Sequence, residues 1–333
     1  MEHNIVIESH IPFIKGVFDN VANVSYLSPG EITPETMANA HALITRTRTR
    51  CDSSLLATSP CRIIATATIG TDHIDLDYCE KKQIKVSNAP GCNAPAVAQY
   101  VMATILATAA KPLNGLTLGI IGVGHVGKIV ERWAGSLVLK TLLCDPPRAE
   151  KEGDGQFVSL SQIANEPDII TIHTPHTKSG PHPTHHLINY DFLSQTKRKP
   201  IVINSARGPI TDTEALLRAL NEGLISNVAI DCWENEPAIS RQLLEKAVIA
   251  TPHIAGYSRD GKIRATIAAI EAVAHHLGLN VHYTGDKPHE VPQTITEQMI
   301  RSTYNPMADT MALKANPDDF ESLRNNYLLR TEP

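Results

Sequence analysis

Thr117-Leu-Gly-Ile-Ile-Gly122-Val-Gly124-His125-Val126-Gly127-Lys-Ile-Val-Glu-Arg-Trp-Ala134 is the stretch that decides the fold. An apolar, strand-like run, Thr117–Ile121, leads directly into G-x-G-x-x-G and then into helix-compatible sequence, Lys128–Ala134. Gly122 permits the tight turn, Gly124 lets the backbone approach a pyrophosphate, and Gly127 lets helix and strand pack closely. The helix N-terminus offers N–H donors to phosphate oxygens, and His125 and Val126 are expected at the cofactor with the three glycines. Taken alone, this is a glycine-rich turn of a common kind. The decision comes from Asp145, which closes the next strand-like run, Lys140–Cys144, 18 residues beyond Gly127. A carboxylate there meets ribose hydroxyls and repels a 2′-phosphate, so the cofactor expected is NAD rather than NADP. Pro146-Pro147 is expected to turn the neighbouring Arg148 outward.

Outward from this motif, further strand-like runs at Ile169–His173, Ile201–Asn204, Val228–Ile230 and Val248–Ala250 alternate with helical stretches. That alternation predicts a parallel, doubly wound sheet, a Rossmann domain. Before it, Asn4–Ile7, Ala42–Thr45, Ile63–Ala67 and Ile84–Val86 predict a smaller α/β domain. Asn93-Ala-Pro95 opens a helical pattern to Ala110, and Arg259–Leu277 reads as one more long helix. The fold class expected is therefore α/β: a Rossmann domain inserted into a smaller flavodoxin-like substrate domain, with a short C-terminal appendage. The boundaries read 1–92 for the first part of the substrate domain and 93–254 for the NAD-binding domain. A returning helix at 255–278 and a C-terminal segment at 279–333, Pro- and Asn-rich with a helical patch near 318–329, complete the chain.

Composition narrows the function. With 333 residues, 42% hydrophobic, 20% charged and a net charge of −5, the chain suits two or three folded domains rather than disorder. The acidic balance argues against a nucleic-acid partner. Ala94–Ala110 is interrupted by Gln99 and too short to span a bilayer, and the N-terminus lacks the pattern of a signal peptide, so no membrane association is expected. The cysteines, Cys51, Cys61, Cys79, Cys92, Cys144 and Cys232, form no C-x-x-C pair. Several fall in apolar runs, which suits reduced, buried thiols and a cytoplasmic location.

Three segments put titratable residues at the ends of predicted strands, where an open α/β sheet builds its site. They are Asn204-Ser205-Ala206-Arg207-Gly, Asp231-Cys-Trp-Glu-Asn-Glu236-Pro and His253-Ile-Ala-Gly256-Tyr257. Singly, each has a plain explanation: a surface arginine, a solvated acid, a loop histidine. In this order behind a dinucleotide motif, with Glu236 29 residues after Arg207 and His253 17 further on, the sequence resembles the D-isomer-specific 2-hydroxyacid dehydrogenases. Thr66–His73, Ala89–Asn93, Leu142–Arg148 and Phe320–Leu328 strengthen that resemblance and point to a phosphorylated substrate.

The resemblance implies that His253 is the acid/base, that Glu236 orients it and favours its protonated form, and that Arg207 grips the substrate carboxylate. These roles fit the chemistry, because oxidising a 2-hydroxy acid needs a proton acceptor near neutrality and a planar cationic fork. The resemblance also puts Thr174, Ser205, Ala206, Asp231 and Gly256 at the cofactor, and Arg46, Thr47, Thr68, Gly70 and Tyr257 at the substrate. It further implies a homodimer. Thr45-Arg-Thr-Arg-Thr-Arg50, if extended, puts its three arginines on one face. The histidines at 173, 176, 182, 185 and 186 lie in a Pro- and Gly-rich loop without a completing acid or cysteine, so no metal is expected. Two alternatives stay open: a dehydrogenase for another small 2-hydroxy acid such as 3-phosphoglycerate or glycerate, and an NAD-sensing, corepressor-like binding protein.

Overall fold

Thr117–Ile121 forms a fully buried strand, and the chain on either side of it builds parallel sheet. The computed structural model describes residues 2–333. The chain divides into two units, Met1–Asn93 with Ser258–His289, and Ala94–Tyr257 with Glu290–Pro333.

The first unit carries β1 (Asn4–Glu8), β2 (Asn23–Leu27), β3 (Ala42–Thr45), β4 (Ile63–Thr66) and β5 (Lys85–Ser87) in the order β2-β1-β3-β4-β5, all parallel. This is the flavodoxin-like order. Central β3 and β4 are buried throughout, which is why they read as continuous apolar runs. The edge strand β2, half exposed, carries no such run and is missed by the sequence reading. The helix Arg259–Leu277 starts at a Ser258 cap and stops at Gly278, whose φ of 65° a glycine adopts without strain. Its Ala265, Ala269, Ile270 and Val273 pack with Ile5, Ile7, Ile44 and Ile63 of the sheet.

The second unit carries β6 (Thr117–Ile121), β7 (Lys140–Cys144), β8 (Ile169–Ile172), β9 (Ile201–Asn204), β10 (Asn227–Ile230) and β11 (Ile249–Ala250). The order is β11-β10-β9-β8-β6-β7, parallel throughout, so the winding reverses between β6 and β8. Loops at the carboxyl ends of the strands next to such a reversal form the crevice where these sheets bind ligands.

The tail differs from the expected single appended segment. Residues up to His289 group with the first unit, and Glu290–Pro333 with the second. Two helices there, Glu297–Thr303 and Pro306–Ala315, are absent from the sequence reading. The residues that read as loop are helix-start residues: Thr296 and Asn305 are N-caps, and Pro306 occupies the first helical position. Ile295, Ile300 and Tyr304 join the apolar cluster around Leu118 and Trp133, and the Trp133 indole donates to Pro292 O at 3.0 Å. Each such side chain adds on the order of 1.5–3 kcal/mol of burial, so this tail is core. Among the described residues no helix is long and apolar enough to cross a membrane.

Candidate active site

The register that pairs Ile121 with both Cys144 and Ile172 sets the glycine turn between Asp145 and His173-Thr174. The turn is tight where glycine is required. A Cβ at Gly122 would lie 2.8 Å from the His173 carbonyl carbon, and one at Gly127 2.2 Å from Gly122 O. A Cβ at Gly124 would meet nothing within 4 Å, so the loop is open on the side a pyrophosphate approaches. The helix His125–Ser136 makes its first internal bond from Lys128 N to Gly124 O, leaving the N–H groups of His125, Val126 and Gly127 without an intrahelical acceptor.

Asp145 accepts from Val123 N at 2.7 Å and from Arg148 N at 3.1 Å, so it caps the next helix, Pro146–Glu152, while bracing the glycine loop. Arg148 is not turned outward. The proline pair starts that helix, and the helix brings Arg148 back so that Nη1 donates to Val123 O at 2.8 Å. Its other donors bind Glu152 at 2.9 and 2.6 Å, which balances its charge locally. Two hydroxyls, Thr174 Oγ1 and Ser205 Oγ, are buried without a partner in the chain. Tight glycines, an open glycine, a helix end and two orphaned hydroxyls together fit a bound dinucleotide.

Farther along the same edge, β9 ends in Asn204, whose buried amide donates to Arg207 O (3.0 Å) and Thr211 Oγ1 (3.2 Å) and so shapes the loop carrying Ser205, Ala206 and Arg207. Gly208 follows because a Cβ there would sit 1.9 Å from Trp233 O. Arg207 Nη1 and Cys232 Sγ both donate to Ala206 O, at 2.9 and 3.4 Å, which brings the arginine beside the β10 loop. There the Glu236 Oε1 accepts from Trp233 N at 2.8 Å, and its Oε2 meets His253 Nδ1 at 2.8 Å. Burial alone would raise the Glu236 carboxyl. The hydrogen bond and charge of His253, the Trp233 N–H and the Arg324 guanidinium outweigh burial and hold it below the ordinary carboxylate range.

Asp231, expected at the cofactor, has another evident duty in this structure. It is fully buried, and its carboxylate accepts from Thr251 Oγ1 (2.7 Å), Ile254 N (2.8 Å) and Ala255 N (3.0 Å). Its main chain also accepts from His253 N at 2.9 Å. These bonds hold His253 at a φ of 57°, a left-handed conformation that a non-glycine residue keeps only when its surroundings impose it. Tyr100 OH and the Trp233 indole brace Thr251 in turn, each at 2.9 Å. Gly256 lies in the next turn, closed by Tyr257 N donating to Ile254 O at 2.8 Å.

The donor atoms of Cys232, Glu236 and His253 lie within 4.8 Å of one another. Burial, with Asp231 and Glu236 adding negative charge, pushes the Cys232 thiol well above its ordinary value, so it stays a thiol and is a poor metal ligand. The loop histidines pair with other groups: His176 with His185 (3.1 Å), His182 with Glu150 (2.8 Å) and His186 with Glu234 (2.7 Å).

In the first unit, Arg46, Thr47, Thr68 and Gly70 gather at the carboxyl ends of adjacent β3 and β4. Buried Glu8 fixes this edge by accepting from Arg46 N (2.8 Å) and Thr45 Oγ1 (3.2 Å). Thr68 Oγ1 lies 2.7 Å from Thr66 Oγ1 and donates to Gly70 O at 3.0 Å. The extended run of arginines does not form. The strand stops at Thr45, the chain turns at Thr47 and Arg48, and Arg50 pairs with Asp52 at 2.7 Å.

Sequence reasoning missed the supports Asn204, Trp233 and Thr251, and two arginines of the tail, Arg324 and Arg330. Asn204, an amide closing an otherwise apolar strand, was a readable signal; the arginines had none, since their partners outside the tail lie 67 to 234 residues away.

The geometry defines a class: an α/β oxidoreductase with a dinucleotide loop and a carboxylate–imidazole pair. Residues 96–255 match the family model described as "D-isomer specific 2-hydroxyacid dehydrogenase, NAD binding domain". The chain is 45% identical to a Bacteroides thetaiotaomicron protein named erythronate-4-phosphate dehydrogenase, over 98% of this chain and 97% of that one. An Escherichia coli protein of the same name is 37% identical over 98% of this chain and 92% of its own. Among solved structures, the D-lactate dehydrogenase from Aquifex aeolicus, complexed with NAD and lactic acid, superposes with a TM-score of 0.69 at 28% identity, covering 83% of this chain and 96% of that one. The chain belongs to the D-isomer specific 2-hydroxyacid dehydrogenases and is an NAD-dependent oxidoreductase.

Proposed function

We propose that this enzyme oxidises 4-phosphoerythronate to 2-oxo-3-hydroxy-4-phosphobutanoate, a step toward pyridoxal 5′-phosphate. The observation that carries the reading is the Glu236–His253 pair at 2.8 Å beside the Arg207 loop. Because Nδ1 faces the carboxylate, the Nδ1–H tautomer leaves Nε2 free to take the proton of the C2 hydroxyl. Arg207 grips the carboxylate and polarises the carbonyl that forms at C2. NAD, when bound, supplies the acceptor for the C2 hydride; the glycine loop, Asp145, Thr174, Ser205, Ala206, Asp231 and Gly256 are its proposed contacts. The phosphorylated substrate is supported by the name shared by the relatives, and Arg46, Thr47, Thr68, Gly70 and Tyr257 are its proposed binding groups.

A cytoplasmic homodimer completes the reading. The six buried, free thiols support a reducing compartment. Exposed Met307, Met311, Leu328 and Leu329 in the tail support a surface covered by a second copy.

The test is a set of initial rates with NAD on 4-phosphoerythronate, erythronate, 3-phosphoglycerate and glycerate, repeated for Arg46→Ala. The phosphorylated four-carbon acid is expected to give the highest kcat/KM. Loss of a charged phosphate contact, about 1.5–3 kcal/mol, should cost it roughly ten- to a hundredfold while erythronate changes little. A better rate on glycerate, or equal losses on both, would overturn the substrate assignment.

A further inference from the structure

The tail brings two arginines into the unit that holds the acid/base pair. Arg330 is buried, and its guanidinium lies 4.3 Å over the Tyr304 ring. It donates to Ile254 O (3.0 Å), Ala96 O (3.1 Å), Gln99 Oε1 (2.8 Å) and Ala255 O. It therefore clamps the tail onto the two carbonyls that directly follow His253. Arg324 lies six residues earlier, on the short helix Phe320–Asn325, which is seated by buried Phe320. Its Nη1 is 3.8 Å from Glu236 Oε2, the same oxygen that faces His253 Nδ1. Its Nε donates to Tyr257 OH at 3.3 Å, and its side chain is only 23% exposed.

We infer that Arg324 is a positioning residue for the reaction: seated by the Arg330 clamp, it holds the Glu236 carboxylate against His253 and offsets part of its charge. This rests on the assignment of His253 and Glu236 as the acid/base pair. The physical argument is one of shared charge. Glu236 is faced by His253 from the loop after β11, by Arg324 from the tail helix, and by the Cys232 thiol from its own loop. Asp231 contacts that thiol at 3.8 Å, Arg207 lies beside it through Ala206 O, and Glu321 shares Arg324 at 3.7 Å. Arg324 thus brings a fixed positive charge to an oxygen that otherwise acts on the imidazole undiluted. A carboxylate so shared binds the imidazolium less strongly, and removing Arg324 strengthens that grip. The guanidinium fork, reaching both Glu236 and Tyr257, also fixes where that carboxylate points.

The test is the pH dependence of oxidation in wild type, Arg324→Gln, Arg324→Lys and Glu236→Gln, under conditions where chemistry limits the rate, with thermal unfolding measured alongside. In Arg324→Gln the rise of rate with pH should move up by roughly 0.5–1 pH unit. Its kcat should fall about tenfold, with NAD binding unchanged. Glu236→Gln should move the rise the opposite way, to lower pH. Arg324→Lys keeps the charge but cannot span both partners, so its rise should stay near wild type while kcat still falls. A rise that moves in Glu236→Gln but not in Arg324→Gln overturns the inference alone. An unmoved rise in Glu236→Gln overturns the acid/base pair and the inference together. Should Arg324→Gln fail to fold, Arg324→Lys decides: reduced kcat with an unmoved rise supports the inference, and wild-type kcat overturns it.

Discussion

The two parallel sheets each end in a loop organised by a buried carboxylate, and the two carboxylates serve different ends. Glu8, at the edge of the first unit, accepts from one backbone N–H and one hydroxyl through a single oxygen, and so presents a guanidinium, Arg46. Asp231, at the edge of the second, uses both oxygens on two backbone N–H groups and a hydroxyl, and holds an imidazole in a left-handed conformation. In the proposed roles, Arg46 as a binding group tolerates some freedom and His253 as a proton acceptor does not. The denser network stands where an error in angle costs most.

That contrast predicts unequal responses to the same chemical change. In Asp231→Asn the new NH2 must face a donor that the carboxylate accepted, leaving buried groups unpaired at a cost of about 1–3 kcal/mol, and the His253 loop loosens. The expected result is a kcat lower by roughly a hundredfold or more, with a lowered Tm. In Glu8→Gln the amide can turn its oxygen toward Arg46 N, so kcat should stay within a few-fold and the change should appear in KM for the phosphorylated substrate. Steady-state kinetics and thermal unfolding of the two variants check this. Equal losses of kcat would end the distinction between the two edges.

A smaller effect concerns pH and stability. Each edge carries a half-buried histidine. His173, after β8, is pushed down to about 3 by burial, and His73, after β4, is lowered for the same reason with Asp72 opposing. A histidine harder to protonate when folded than when unfolded leaves the unfolded chain holding the extra proton. Stability then falls as pH drops below the unfolded value near 6.5, by at most about 1.4 kcal/mol per pH unit for each group. For His173 that loss continues toward pH 3. Denaturant unfolding between pH 4 and 7 should give a flatter acid limb in His173→Gln, and a smaller flattening in His73→Gln. The reverse order would mean that the second sheet's edge is the wetter one.

What was readable beforehand follows the range of the interactions. The glycine loop, Asp145 and the ends of β6 to β11 were legible because each depends on neighbours within one strand–turn–helix unit. His253 and Glu236 were legible as a pair only through their order along the chain. Their supports were not: Asp231 works on residues 20 to 24 positions away, and Arg324 reaches Tyr257 across 67. Gln99, legible only as a polar break in an apolar stretch, holds Arg330 and the Thr331 carbonyl across more than 230 residues. Polar residues tied by such long closures carry no local periodicity. The arginine run at 46–50 shows the converse: its alternation is real, but the strand ends at Thr45, and Arg48 and Arg50 lie exposed.

The central claim is that His253 takes the substrate proton. The most direct measurement is chemistry-limited oxidation by His253→Ala, with NAD binding followed separately by fluorescence or calorimetry. Turnover should fall by roughly 10²–10⁴-fold, the span of a positioned proton-transfer group, while NAD affinity stays near wild type. Turnover within a few-fold of wild type would contradict the account.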